Sequence, residues 1–140
     1  MKIFIDTNIL IDFICKRQPF CQNAASVFDL CRNKKIEGFI STQTVVDTFY
    51  ITRKLLSTDY LRDFLLTLSE IVTFTGISKD NIISALKSTD FKDFEDCAES
   101  ECAVSSEADY IITRNVKDFE KSKIKAVTPE GFLELIEQFR

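Results

Sequence analysis

Lys2-Ile3-Phe4-Ile5-Asp6-Thr7-Asn8-Ile9-Leu10 decides the fold. Residues 2–5 form a short apolar run, the pattern of a buried strand, and the polar triplet Asp6-Thr7-Asn8 closes it as a turn. Ile9, Leu10, Phe13 and Ile14 then recur at helical spacing, so the chain opens as strand, turn, helix. The same grammar repeats downstream. Pro19 stops the first helix, Ala24, Ala25, Val27, Phe28 and Leu30 predict a second to about Asn33, and Gly38-Phe39-Ile40 predicts the next strand. Ser41 or Thr42 then caps a long amphipathic helix carrying Val45, Val46, Phe49, Tyr50 and Leu56. A helix over Tyr60–Ser69 precedes the β-rich run Ile71-Val72-Thr73-Phe74, Ser78 opens a helix to Leu86, and Asp93 opens another to about Ser105. Asp109–Thr113 and Lys125-Ala126-Val127 predict two further strands. Thr128-Pro129, a hydroxyl cap followed by proline at the first helical position, starts a C-terminal helix. Strands alternating with helices predict an α/β fold: three α/β/α layers around a parallel sheet of four to five strands, with residues 1–140 as one domain. In such open sheets ligands bind beyond the carboxyl ends of the strands, which directs attention to the residues after Ile5, Ile40, Phe74 and Ile112.

Composition narrows the chemistry. Apolar residues make up 45% of the 140, enough for a core without staples. A net charge of −4 rules out a chain-wide basic footprint for nucleic acid, so contact with phosphate needs a local basic patch or bridging metal ions. The five cysteines (Cys15, Cys21, Cys31, Cys97 and Cys102) form no C-x-x-C pair, and histidine is absent. Zinc sites of Cys/His spacing are thereby excluded, as are Ser-His-Asp and Cys-His nucleophile systems. The cysteines read as small buried hydrophobes in a reducing cytoplasm. An aspartate at position 6 argues against a signal peptide, and no apolar run reaches the roughly 20 residues that span a bilayer, so no membrane partner is expected.

What remains is oxygen chemistry. Asp6 stands directly after the first strand, where it either caps the following helix or holds a cation. Asp47 lies one turn into the helix after the second strand, beside Val45, Val46, Phe49 and Tyr50, and a charge among such neighbours calls for a partner or a metal. Asp93 and Asp96, three apart at the start of a later helix, share a face; Asp93 suits the cap and Asp96 the ligand. Thr113-Arg114-Asn115 and Asp118 follow the strand ending at Ile112. Taken singly, each is an ordinary cap or polar turn. Jointly they gather carboxylates at one sheet edge, and an oxygen-only donor set suits Mg²⁺ or Mn²⁺.

The chain resembles the PIN-domain ribonucleases, and within them the toxins of VapBC-type toxin–antitoxin pairs. The resemblance is carried by Ile3–Leu10, Ser41–Tyr50, Asp93–Ala98, and Ala108–Asn115 with Asp118-Phe119, in family order over nearly the whole chain. It implies a PIN-like fold and acidic catalytic ligands at Asp6, Asp47 and Asp96. The fourth acidic position falls on Asn115, with Asp118 nearby as a substitute ligand. Aspartate at 47 is one methylene shorter than the usual glutamate, and Asn115 removes a charge. Asn8, Thr113 and Asp93 fall on supporting positions. The implied reaction is Mg²⁺- or Mn²⁺-dependent hydrolysis of RNA, with Lys16, Arg17, Arg53, Lys54 and Arg114 offering positive charge to the backbone. Implied partners are the RNA substrate, a cognate antitoxin protein and a second copy in a homodimer. Two rival readings stay open: a non-enzymatic binding module on the same fold, and a phosphatase of the haloacid-dehalogenase kind. The latter wants a second aspartate where Asn8 stands.

Overall fold

The structure is a computed structural model and describes residues 1–139. Five strands, β1 (Lys2–Ile5), β2 (Glu37–Ser41), β3 (Thr73–Thr75), β4 (Tyr110–Ile112) and β5 (Lys125–Val127), form one parallel sheet in the order β3-β2-β1-β4-β5. The central strand is β1, with Ile3 opposite Gly38 on one side and Tyr110 on the other. Side chains alternate across it. Ile3 and Ile5 enter one core and Phe4 the other, which is why residues 3–5 are apolar without interruption. Gly38 belongs to the close approach of β2 to its cover: a Cβ there would lie 2.7 Å from Cys31 Sγ and 2.8 Å from Val72 Cγ1.

One face is covered by α1 (Thr7–Ile14), α2 (Cys21–Arg32), α4 (Thr58–Ser69) and α7 (Pro129–Gln138), which bring Ile9, Leu10, Val27, Phe28, Leu65, Leu68 and Phe132 to the core. The other is covered by α6 (Phe94–Ser105) through Cys102 and Ala103, with α5 (Lys79–Lys87) packed against α6. The remaining helix, α3 (Thr42–Thr52), lies at the carboxyl end of β2. Four of the described helices begin on the caps their sequences call for: Ser41, Ser78, Asp93 and Thr128 each accept a backbone N–H with the side chain, and Ser78 with Asn81 forms a full capping box.

Several expectations shift. The first helix ends at Ile14, five residues before Pro19, and the β-rich run becomes a strand only at Thr73, with Val72 packed into the core beforehand. The larger correction concerns α3. Its buried stripe is Thr44, Thr48 and Thr52, whereas Val46 and Tyr50 are exposed and Leu56 lies beyond the helix. Asp47 therefore sits half-buried at the stripe's margin and not among core positions. All five cysteines are free; Cys31, Cys97 and Cys102 are buried, but Cys15 and Cys21 only partly. Among the described residues no helix is long and apolar enough to cross a membrane.

Candidate active site

Asp6 is fixed by the turn that β1 and α1 make together. It is the N-cap of α1, its Oδ1 accepting the Thr7 N–H at 2.8 Å, while Oδ2 accepts the Thr113 hydroxyl at 2.7 Å across the β1–β4 edge. The cap and the inward-facing carboxylate are thus one residue with two oxygens used separately. Thr113 in turn accepts the Asn115 N–H at 3.0 Å. Burial pushes the Asp6 carboxyl above its ordinary range; the hydrogen bonds from Thr113 and Thr7 pull it back, Asp118 raises it and Arg114 lowers it.

Helix α6 supplies three more carboxylates at its cap and first turn. Asp93 caps it, accepting the Asp96 N–H at 3.0 Å. The Asp96 carboxyl is pushed up to about 7 by burial first, then by the charges of Asp93, Asp6, Asp118 and Glu95. Glu95 is raised as well, by burial and then by its interaction with Asp47. Asp47 reaches this group from α3 and accepts a hydrogen bond from Gln43 at 2.8 Å on its outer side. Asp118 stands in the single 3-10 turn Val116–Phe119 after β4. Asp6, Asp96 and Asp118 are therefore close enough to perturb one another, and Asp47 joins through Glu95. Asn115 is exposed, as are Asp93, Glu95 and Asp118. Asn8 accepts the Arg114 N–H at 3.5 Å, which ties the β4 loop to α1.

Two acids were not legible as site residues. Glu99 lies one turn beyond Asp96, 2% exposed, its Oε1 accepting the Ser41 hydroxyl at 2.7 Å. Burial lifts it to about 7 against that hydrogen bond, and Asp6, Glu95 and Asp47 raise it further. Its i, i+3 relation to Asp96 was the available signal. Asp12 is 0% exposed and accepts Arg114 Nε at 2.6 Å and Nη2 at 3.2 Å. A lone acid inside Ile9-Leu10-Ile11-Asp12-Phe13-Ile14 was the signal there.

This clamp alters the expected basic surface. Arg114 is committed to Asp12 and stacked 4.1 Å over Phe20, Arg17 lies 3.9 Å from the same carboxylate, and Arg53 stacks 4.0 Å over Tyr50. The lysines beside the carboxylates are others: Lys92, Lys117 and Lys121 share a cleft of about 300 Å³ with Asp93, Asp96 and Asp118.

The donor set is oxygen throughout, which fits a hard cation. Glu99 Oε2 is buried without a hydrogen-bond partner, an oxygen that a cation or its water would satisfy. Among the described residues no three of these carboxylates stand close enough together to hold one ion as placed.

Fold and site together define an α/β domain with an acidic centre at the carboxyl edge of a parallel sheet. The PIN domain family profile matches residues 2–117, and the chain belongs to that family. No curated protein matches it in sequence. Among solved structures it is similar to a toxin–antitoxin complex from Klebsiella pneumoniae (TM-score 0.70, 24% identity, 91% of this chain and 97% of that one). It is similar also to VapBC-1 from nontypeable Haemophilus influenzae (TM-score 0.68, 20% identity, 93% and 99%). A third likeness is to VapC20 of Mycobacterium tuberculosis, described as a sarcin-ricin loop cleaving toxin (TM-score 0.61, 16% identity, 78% and 86%). At these identities the likenesses show the fold.

Proposed function

We propose that this chain is a divalent-metal-dependent endoribonuclease acting in the cytoplasm as the toxin of a toxin–antitoxin pair. The observation that carries the reading is the convergence of Asp6, Asp96 and Asp118, with Asp47 behind Glu95, at the sheet edge where open α/β folds bind ligands. The RNA substrate is drawn from the description of VapC20, and the antitoxin partner from the Klebsiella and Haemophilus complexes.

Asp6, Asp47, Asp96 and Asp118 are the residues that would hold Mg²⁺ or Mn²⁺. Such an ion, when bound, lowers the pKa of water and stabilises charge developing on phosphate. Thr113 and the α1 N-terminus hold Asp6 in one orientation, so its charge is aimed before substrate arrives. Asp93 fixes the first turn of α6 and with it the direction of Asp96. Lys92, Lys117 and Lys121 at the cleft are placed to draw the RNA backbone toward these acids. Arg17 and Arg53 would offer further positive charge to the backbone, and Arg114 contributes as a clamped, stacked plane more than as a free charge.

The phosphatase alternative needs an aspartate at 8; the Asn8 side chain instead accepts a backbone N–H. The binding-module alternative is separated by assay. Asp6→Asn keeps the side-chain shape and its capping ability while removing the charge. The purified variant is expected to stay folded and to cleave single-stranded or structured RNA at least about a hundredfold more slowly than wild type in Mn²⁺. Equal rates would make Asp6 a helix cap only. Absence of any wild-type cleavage would favour the module.

A further inference from the structure

Glu99 is an acid for which none of the roles above accounts. Its side chain is 2% exposed, one oxygen takes the Ser41 hydroxyl, and the other has no donor among the described residues. Ser41 is already occupied as the cap of α3, accepting the Thr44 N–H at 3.0 Å. Thr44 in turn meets Thr7 at 2.9 Å, so a chain of hydroxyls runs from the α1 N-terminus beside Asp6 to Glu99. If the position only braced these elements, glutamine would serve better. Its carbonyl would accept the same hydroxyl, and its amide would donate to the acids nearby. An ionised carboxylate placed there, among Asp6, Glu95 and Asp47, takes up a proton unless a cation shares the space.

We propose that Glu99 is itself a ligand of the divalent cation, its unpartnered Oε2 completing from the buried side the donor set that Asp6 and Asp96 begin. The inference rests on the metal-dependent reading above.

The test is titration of the metal-stripped full chain with MnCl₂ alone, by calorimetry and by thermal shift. Glu99→Gln preserves size and the Ser41 contact, and is expected to weaken Mn²⁺ affinity about a hundredfold while the metal-free protein stays folded. A folded Glu99→Gln with wild-type Kd overturns the assignment. Should Glu99→Gln not fold, Glu99→Asp carries the test. It keeps the charge and loses reach, and affinity unchanged within about twofold overturns the proposal. Wild-type protein that binds no Mn²⁺ instead removes the metal reading on which this one depends.

Discussion

Replacing Asp12 by alanine would release a clamp that no cofactor or substrate is needed to observe. The carboxylate is fully buried, with Arg114 Nε and Nη2 at 2.6 and 3.2 Å and Arg17 Nη1 at 3.9 Å. Breaking a fully buried ion pair from one side costs about 3–5 kcal/mol, because the surviving charge is stranded. Here the survivor is Arg114, whose side chain is 28% exposed and can turn partly to water. The expected loss is therefore smaller, about 2–3 kcal/mol, or a fall in Tm of about 6–10 °C for a chain of this length. Urea unfolding followed by circular dichroism measures it directly. The double variant Asp12→Ala/Arg114→Ala should lose less than the sum of the two single variants by about 1 kcal/mol or more, since the first removal already breaks the contact. A single-variant loss under about 0.5 kcal/mol, the range of ordinary surface changes, would refute the clamp as a stabilising element.

Two further outcomes are expected. Metal-free protein should lose stability as pH rises from about 5 to about 7.5: Asp96 and Glu99 titrate at about 7 when folded, against 3.8 and 4.5 for the same carboxyls free in water, so the folded state binds more protons in that window. The chain has no histidine to blur this range, and thermal unfolding in EDTA that shows rising stability between those pH values would contradict it. Gly38→Ala should destabilise by about 1–3 kcal/mol through overpacking against Cys31 and Val72, read as a lower urea midpoint with an unchanged slope. An unaltered midpoint would show that the two side chains can yield.

The sheet was legible because its strands are buried on both faces, so Lys2–Ile5 and Tyr110–Ile112 read as unbroken apolar runs with a polar turn behind each. The caps were legible for a different reason. Ser78, Asp93 and Thr128 satisfy orphan N–H groups locally, which neighbouring sequence alone can report. Helix α3 was misread because hydropathy ranks threonine as polar. Yet Thr44 bonds to Thr7 and Ser41, and Thr52 donates back to the Thr48 carbonyl at 2.6 Å, so the hydroxyls of Thr44 and Thr52 are satisfied and their methyl groups can be buried, while the Thr48 hydroxyl is buried without a partner among the described residues. The apolar Val46 and Tyr50 were left outside.

The same distinction separates the acids. Asp6 and Asp96 could be picked out because position relative to a strand end or a helix start places them, whatever the rest of the chain does. Glu99 and Asp12 owe their character to partners 58 and 102 residues away in sequence, Ser41 and Arg114. No local pattern reports whether such a partner arrives. Asp12 receives a guanidinium and becomes a structural ion pair, whereas Glu99 receives one hydroxyl and keeps an oxygen in need of a donor. Two equally buried acids on helices that begin at the same sheet edge thus part ways on a single criterion: whether the fold itself supplies the balancing charge. For Asp12 it does, whereas Glu99 is left to take up a proton or, as proposed above, to share a cation.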